Sequence, residues 1–162
     1  MQSILRYAIL GATVAVLAVS MPAAFAQAQR PGLGTWKLNL EKSKFTPGPA
    51  PKSQTVKLEA VGEGVKVTSE AVIADGRTVR TEFTANYDGK DNPMNGSPAV
   101  DTVALTRVDA YTNTRIDKKD GKVVATHRRV VAKDDKTWSV EIKGTNPKGE
   151  PFTNFQFFER AQ

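Results

Sequence analysis

From Thr35 onward the chain alternates apolar and polar side chains with period two, and almost nowhere with the 3.6 period of a helix. Trp36, Leu38 and Leu40 share one face of a first run, with Thr35, Lys37 and Asn39 on the other. The next run repeats the arrangement, with Val56, Leu58 and Ala60 set against Thr55, Lys57 and Glu59. Val65, Val67, Ala71 and Ile73 share a face of a third run, and Val79, Phe83, Ala85 and Tyr87 of a fourth. "DTVALTRV", "TNTRIDKK", "KVVATHRRVVA", "TWSVEIKG" and "FTNFQFFER" continue the rhythm toward the C-terminus. Their patterning and β-branched or aromatic content predict a strand for each.

The connections point the same way. Asp75-Gly76, Asp88-Gly89 and Asp120-Gly121 each fall between two alternating runs, where such pairs adopt the positive φ angles of type I′ hairpin turns. Gly62-Glu63-Gly64 and Pro147-Lys148-Gly149-Glu150 serve as further turns, so successive strands are expected to be antiparallel neighbours. Two segments break the rhythm. "EKSKFTPGPAPKS" (41–53), with Pro47, Pro49 and Pro51, predicts an extended loop, and "KDNPMNGSPAV" (90–100) predicts at most a short edge strand followed by a loop. The result is an all-β chain, an antiparallel up-and-down meander of about eight to ten strands with little helix. Closing such a meander into a barrel removes the unpaired edges that an open sheet exposes.

The first 26 residues do not belong to this pattern. Arg6 supplies a positive n-region, the run from Tyr7 to Val19 an apolar core, and Ala24-Phe25-Ala26 the small residues that a signal peptidase reads. That apolar run is shorter than the roughly 20 residues needed to cross a bilayer. A cleaved signal peptide over 1–26 is therefore expected, with Ala28 as a second cleavage site, leaving one domain over 27–162 with no membrane span. The expected location is the periplasm or the outside of the cell. The chain has no cysteine, which excludes disulfides, thiol chemistry and acylation as a lipoprotein. Arg6 is the one charged residue of the leader, so the mature chain carries 22 basic and 17 acidic residues, a net +5. Basic and acidic residues are interspersed, which serves solubility, while the excess leaves an anionic envelope component as an expected partner.

Two residues after a glycine, at the opening of the first strand, stands Trp36, one of two tryptophans. Gly34-Thr35-Trp36 resembles the glycine-x-tryptophan signature of the calycins, the group of lipocalins, fatty-acid-binding proteins and avidins, and the resemblance extends to the strand order of the whole mature chain. It implies a barrel whose tryptophan sits at the closed end with a basic side chain of the last strand packed across it. Arg160 is placed for that role, making Gly34, Trp36 and Arg160 the expected closed-end motif. The resemblance is to exported bacterial lipocalin-like proteins, and it implies binding of a small molecule inside the barrel. Where fatty-acid-binding proteins carry an arginine and a tyrosine that grip a carboxylate, this chain has Gln156 and Phe158.

Little in the sequence suggests catalysis. His127 is the only histidine, it lies in mid-strand, and neither a multi-histidine metal site nor a phosphate-binding loop can be assembled. Asp134-Asp135 fall in a hairpin turn and Glu141 alternates outward with Lys143. "THRRVVAK" is basic but lacks the interleaved aromatics of a nucleic-acid groove. No enzyme activity, cofactor, metal or nucleic-acid partner is therefore expected. The barrel interior carries the functional expectation, with Phe83, Tyr87, Leu105, Trp138, Gln156 and Phe158 as candidate ligand contacts and Val140 and Ile142 beside them. The same alternation builds either a cavity or a filled core. Two functions stay open: a non-catalytic carrier of a small, largely apolar molecule, and an envelope binding or scaffold module that uses its basic outer face around a filled interior.

Overall fold

The computed structural model describes residues 30–161, so the signal peptide expected for 1–26 lies outside the described residues. Ten strands make up the fold: β1 (Gly34–Thr46), β2 (Ser53–Val61), β3 (Gly64–Val72), β4 (Thr78–Ala85), β5 (Asp88–Pro93), β6 (Thr102–Arg107), β7 (Thr112–Lys119), β8 (Lys122–Val131), β9 (Thr137–Thr145) and β10 (Pro151–Arg160). Their order in the sheet is β4-β3-β2-β1-β10-β9-β8-β7-β6-β5, with every ladder antiparallel. The described residues are thus all-β and up-and-down, and β1 pairs with β10 from Trp36↔Arg160 to Thr46↔Thr153. The edges β4 and β5 nearly close the barrel. Between them a single bridge joins Glu82 and Asn95, whose backbones exchange hydrogen bonds of 3.0 and 2.9 Å.

The turn chemistry works as expected at Asp120-Gly121, where φ values of 50° and 73° join β7 to β8 as a two-residue hairpin. Asp88-Gly89 behaves differently. It opens β5 and forms no β4–β5 hairpin, and the positive φ of Gly89 (75°) accompanies a break in register against β6 between Asp88 and Asp91. The reason is topological, because β4 and β5 lie at opposite ends of the sheet. A second correction concerns the proline-rich loop, which is shorter than expected since β1 continues to Thr46. A break in register between Asn39 and Lys44 lets it do so, and with that irregularity Leu40 ends 40% exposed while Trp36 is fully buried.

The core is the inside of the barrel. Trp36, Phe158, Val65 and Val103 are the largest fully buried side chains, packed with Leu58, Phe83, Leu105, Trp138 and Val140 among others. Trp138 stacks on Phe158 with ring centroids 4.0 Å apart and planes 11° from parallel, and meets Trp36 edge-on at 6.1 Å. These three rings fill one end. Trp36 donates its indole N–H to the Gly32 carbonyl (3.0 Å), which fixes the segment before β1 across the same end.

Candidate functional site

Above these three packed rings the barrel holds a partly open cavity of about 260 Å³. One part of its wall is apolar, with Val56, Leu58, Val65 and Val67 from β2 and β3, Phe83 from β4, Leu105 from β6 and Val140 and Ile142 from β9. The other part is polar in a way that apolar periodicity does not predict. Asn113, Arg115, His127 and Arg129 from β7 and β8 line the cavity, and Asp117, only 3% exposed, continues the same face. Alternation along β7 then sends Ile116 outward, where it is 38% exposed.

Register explains why these groups meet. A break in the β7–β8 ladder leaves Lys118 opposite Val123 but Asp117 opposite Ala125, so Val124 is an extra residue on β8. From there Arg115 faces His127 and Asn113 faces Arg129. Arg115 donates to both carboxylate oxygens of Asp117, at 2.6 and 2.7 Å, and His127 Nε2 lies 2.9 Å from Asp117 Oδ2. Burial pushes the Asp117 carboxyl up, but the His127 hydrogen bond and the Arg115 charge outweigh it and bring the pKa down to about 2. The carboxylate is ionised and only accepts, so His127 Nε2 carries the proton. Burial holds the imidazole below its ordinary range, Arg115 pushes the same way, and Asp117 opposes them.

Guanidinium groups also stack on the wall aromatics. Arg115 lies 5.4 Å from the Phe83 ring centroid and Arg129 lies 5.6 Å from that of Trp138, while Arg107, more exposed, lies 4.1 Å from that of Tyr87. With the Asn113 amide oriented to satisfy both groups, its oxygen accepts from Arg129 at 2.8 and 3.2 Å.

The structure places five of the six candidate ligand contacts, Phe83, Tyr87, Leu105, Trp138 and Gln156, on the cavity wall. Phe158 is fully buried behind Trp138 and packs the end of the barrel. On the last strand Gln156, Phe158 and Arg160 face inward, while Phe155 is 37% exposed and Phe157 lies beneath Lys42 on the outside. At the filled end the Arg160 guanidinium lies 4.3 Å from the Trp36 ring centroid and pairs with Asp135. Asn113, Arg115, Asp117 and Arg129 were not singled out by the sequence, and His127 stands there only as the lone histidine in mid-strand. Among the described residues no cluster of histidine and carboxylate side chains could hold a metal ion, and no helix is long and apolar enough to cross a membrane.

No family model matches the chain, and no curated protein matches it. Among solved structures, one similar chain is described by the words "The Siderocalin Ex-FABP functions through dual ligand specificities". It is 12% identical, with a TM-score of 0.36, over 80% of this chain and 73% of its own length.

Proposed function

We propose that this protein is a non-catalytic carrier that binds one small, largely apolar molecule inside its barrel, and that it works in the cell envelope or outside the cell once a signal peptide over 1–26 has been removed. The observation that carries the reading is the cavity of about 260 Å³, whose aliphatic and aromatic wall is interspersed with polar groups, the charged ones gathered on β7 and β8 and Gln54, Ser69, Thr81 and Gln156 set among the apolar residues of the other strands. Such a wall both holds an apolar body and orients it. The single histidine is engaged with Asp117, which Arg115 also holds, an arrangement that favours binding over proton transfer to a substrate. The alternative, a basic outer face docked on an anionic partner, draws less support. Outer lysines are already paired locally, as in Lys57–Glu59 at 2.8 Å, Lys42–Glu159 at 2.9 Å and Lys66–Glu82 at 3.2 Å.

An apolar fluorescent probe should bind at one site per chain with micromolar affinity, about 8 kcal/mol, and should change the emission of Trp138 on the cavity wall. Val67→Phe places a ring in the cavity from β3 and should abolish binding while the far-ultraviolet spectrum stays that of the native barrel. A folded protein that binds none of a set of aliphatic and aromatic probes would defeat the carrier reading and put the outer-face alternative ahead.

A further inference from the structure

His127, the only histidine in the chain, offers the cavity an acceptor that the fold does not use. Its Nε2 is committed to Asp117 Oδ2, 2.9 Å away. Arg115 donates to both oxygens of that carboxylate, so Asp117 is held in place and ionised, and the imidazole proton is fixed on Nε2. Burial keeps the imidazole below its ordinary range, which leaves Nδ1 a bare lone pair at neutral pH. Nδ1 has no hydrogen-bond partner among the described residues, yet it is not sealed off, since the one fully buried side-chain polar atom left unpaired there is Trp138 Nε1. Because β8 is an inner strand of the sheet and His127 projects to the inside of the barrel, the open surface of Nδ1 belongs to the cavity.

The charges around that lone pair narrow what can donate to it. Arg115 and Asp117 face it from β7 and Arg129 from its own strand, while β9 presents the uncharged Val140 and Ile142. An ammonium group would enter against the charges of Arg115 and Arg129, and carboxylate, carbonyl and ether groups have no proton to give. A hydroxyl has one, and its oxygen still accepts from a guanidinium. The more acidic the hydroxyl, the better it donates, and cationic groups beside its oxygen strengthen both bonds. We propose that the ligand is a small neutral phenol whose hydroxyl donates to His127 Nδ1, with Asp117 as the positioning residue that keeps this nitrogen an acceptor. This deepens the carrier reading and rests on it. Phe83 and the aliphatic side chains of β2 and β3 take the ring and its apolar substituent.

The test compares 4-butylphenol with its isomer 4-propylanisole, whose oxygen is capped by a methyl group and has no proton to donate. In titration calorimetry at neutral pH the phenol should bind the unmodified protein at least about tenfold more tightly, as one hydrogen bond to a buried acceptor predicts. His127→Phe should remove that preference by weakening the phenol at least about tenfold, with the ether changed far less. With a single histidine in the chain, nitrogen-15 labelling of histidine reports on the His127 ring alone. Nε2 should carry the proton, and the Nδ1 resonance should move upfield when the phenol binds and stay in place with the ether. Asp117→Asn should let the proton populate Nδ1, visible in the same spectrum, and shrink the preference for the phenol. Equal binding of the isomers, a preference that survives in folded His127→Phe, or an Nδ1 resonance that bound phenol does not move overturns the phenol and leaves the carrier intact. Binding of neither isomer overturns the phenol as well, and the carrier falls with it if the apolar probes also fail to bind. Should His127→Phe fail to fold, the ring-nitrogen spectrum of the unmodified protein decides.

Discussion

The guanidinium of Arg160 donates to the Leu33 carbonyl at 2.8 Å and to the Asp135 carbonyl at 2.8 Å, pairs with the Asp135 carboxylate, and covers the Trp36 ring. Gly34 fits this arrangement because its φ is +113° and because a Cβ there would come within 2.5 Å of the guanidinium. The glycine two residues before the tryptophan thus has a steric reason. Arg160→Ala removes a cation-π contact of about 1–2 kcal/mol and two hydrogen bonds to backbone of about 1 kcal/mol each, so a loss of roughly 3–4 kcal/mol is expected. Arg80→Ala removes a side chain that is 64% exposed and lies 3.9 Å from Glu82, and should cost under about 1 kcal/mol. Denaturant titration of both variants checks the contrast, and equal losses would reject the role given to Arg160. Gly34, Trp36 and Arg160 stand out in the sequence through the resemblance of Gly34-Thr35-Trp36 to the glycine-x-tryptophan signature, which implies a basic partner from the last strand. Asp135 does not, since a second aspartate in a hairpin turn has the same appearance whether it faces solvent or a cation 25 residues away.

Among the elements, the β7–β8 hairpin departs most from what alternation predicts. Counting back from the Asp120-Gly121 turn without a break would place Thr126 opposite Arg115, and the extra residue at Val124 brings His127 there instead. Nothing in "KVVATHRRVVA" marks that insertion, because the residues on either side of it are small or β-branched and suit both faces. Strand existence and every hairpin but the one expected at Asp88-Gly89 were legible for the opposite reason, namely that period-two alternation and turn residues act locally. The polar half of the cavity depends on a register fixed by packing across the barrel, and local patterning carries no record of it. This hairpin also sets the response to acid. His127 has its folded pKa below its unfolded value, so its contribution is complete above about pH 6.5 and is lost as pH falls below that. Asp117, at about 2 against 3.8, contributes on the order of 2 kcal/mol that persists above about pH 4 and is lost as pH falls toward 2. Urea titrations across pH should show both losses, and His127→Gln should flatten the upper one. An unchanged slope between about pH 6.5 and 5 in that variant would assign the upper loss to another group.

For the whole molecule, closure is incomplete at one place, and the position of that gap matters more than its size. The β4–β5 edge is held by the Glu82–Asn95 bridge and by the close approach of Gly96 to the Arg80 carbonyl, where any Cβ would collide. Neither feature is visible in sequence, since both join segments that alternation treats as separate edges. Meanwhile the first and last strands are ladder neighbours, and the Ala161 amide still donates to Thr35 at 2.8 Å. The order in which the polypeptide is synthesised is therefore a circular rotation of the order in which the strands lie. Joining residue 161 to residue 30 by a short flexible linker and opening the backbone at Asn86-Tyr87 would give a permuted chain whose ladders are all sequential hairpins. The β1–β10 contacts, which span most of the described length, would become local, and folding speed rises as contacts become more local. Stopped-flow refolding should show the permuted barrel forming faster than the parent, with an unchanged native spectrum. A slower or incomplete transition would mean that the link across the seam directs assembly and is more than a tether.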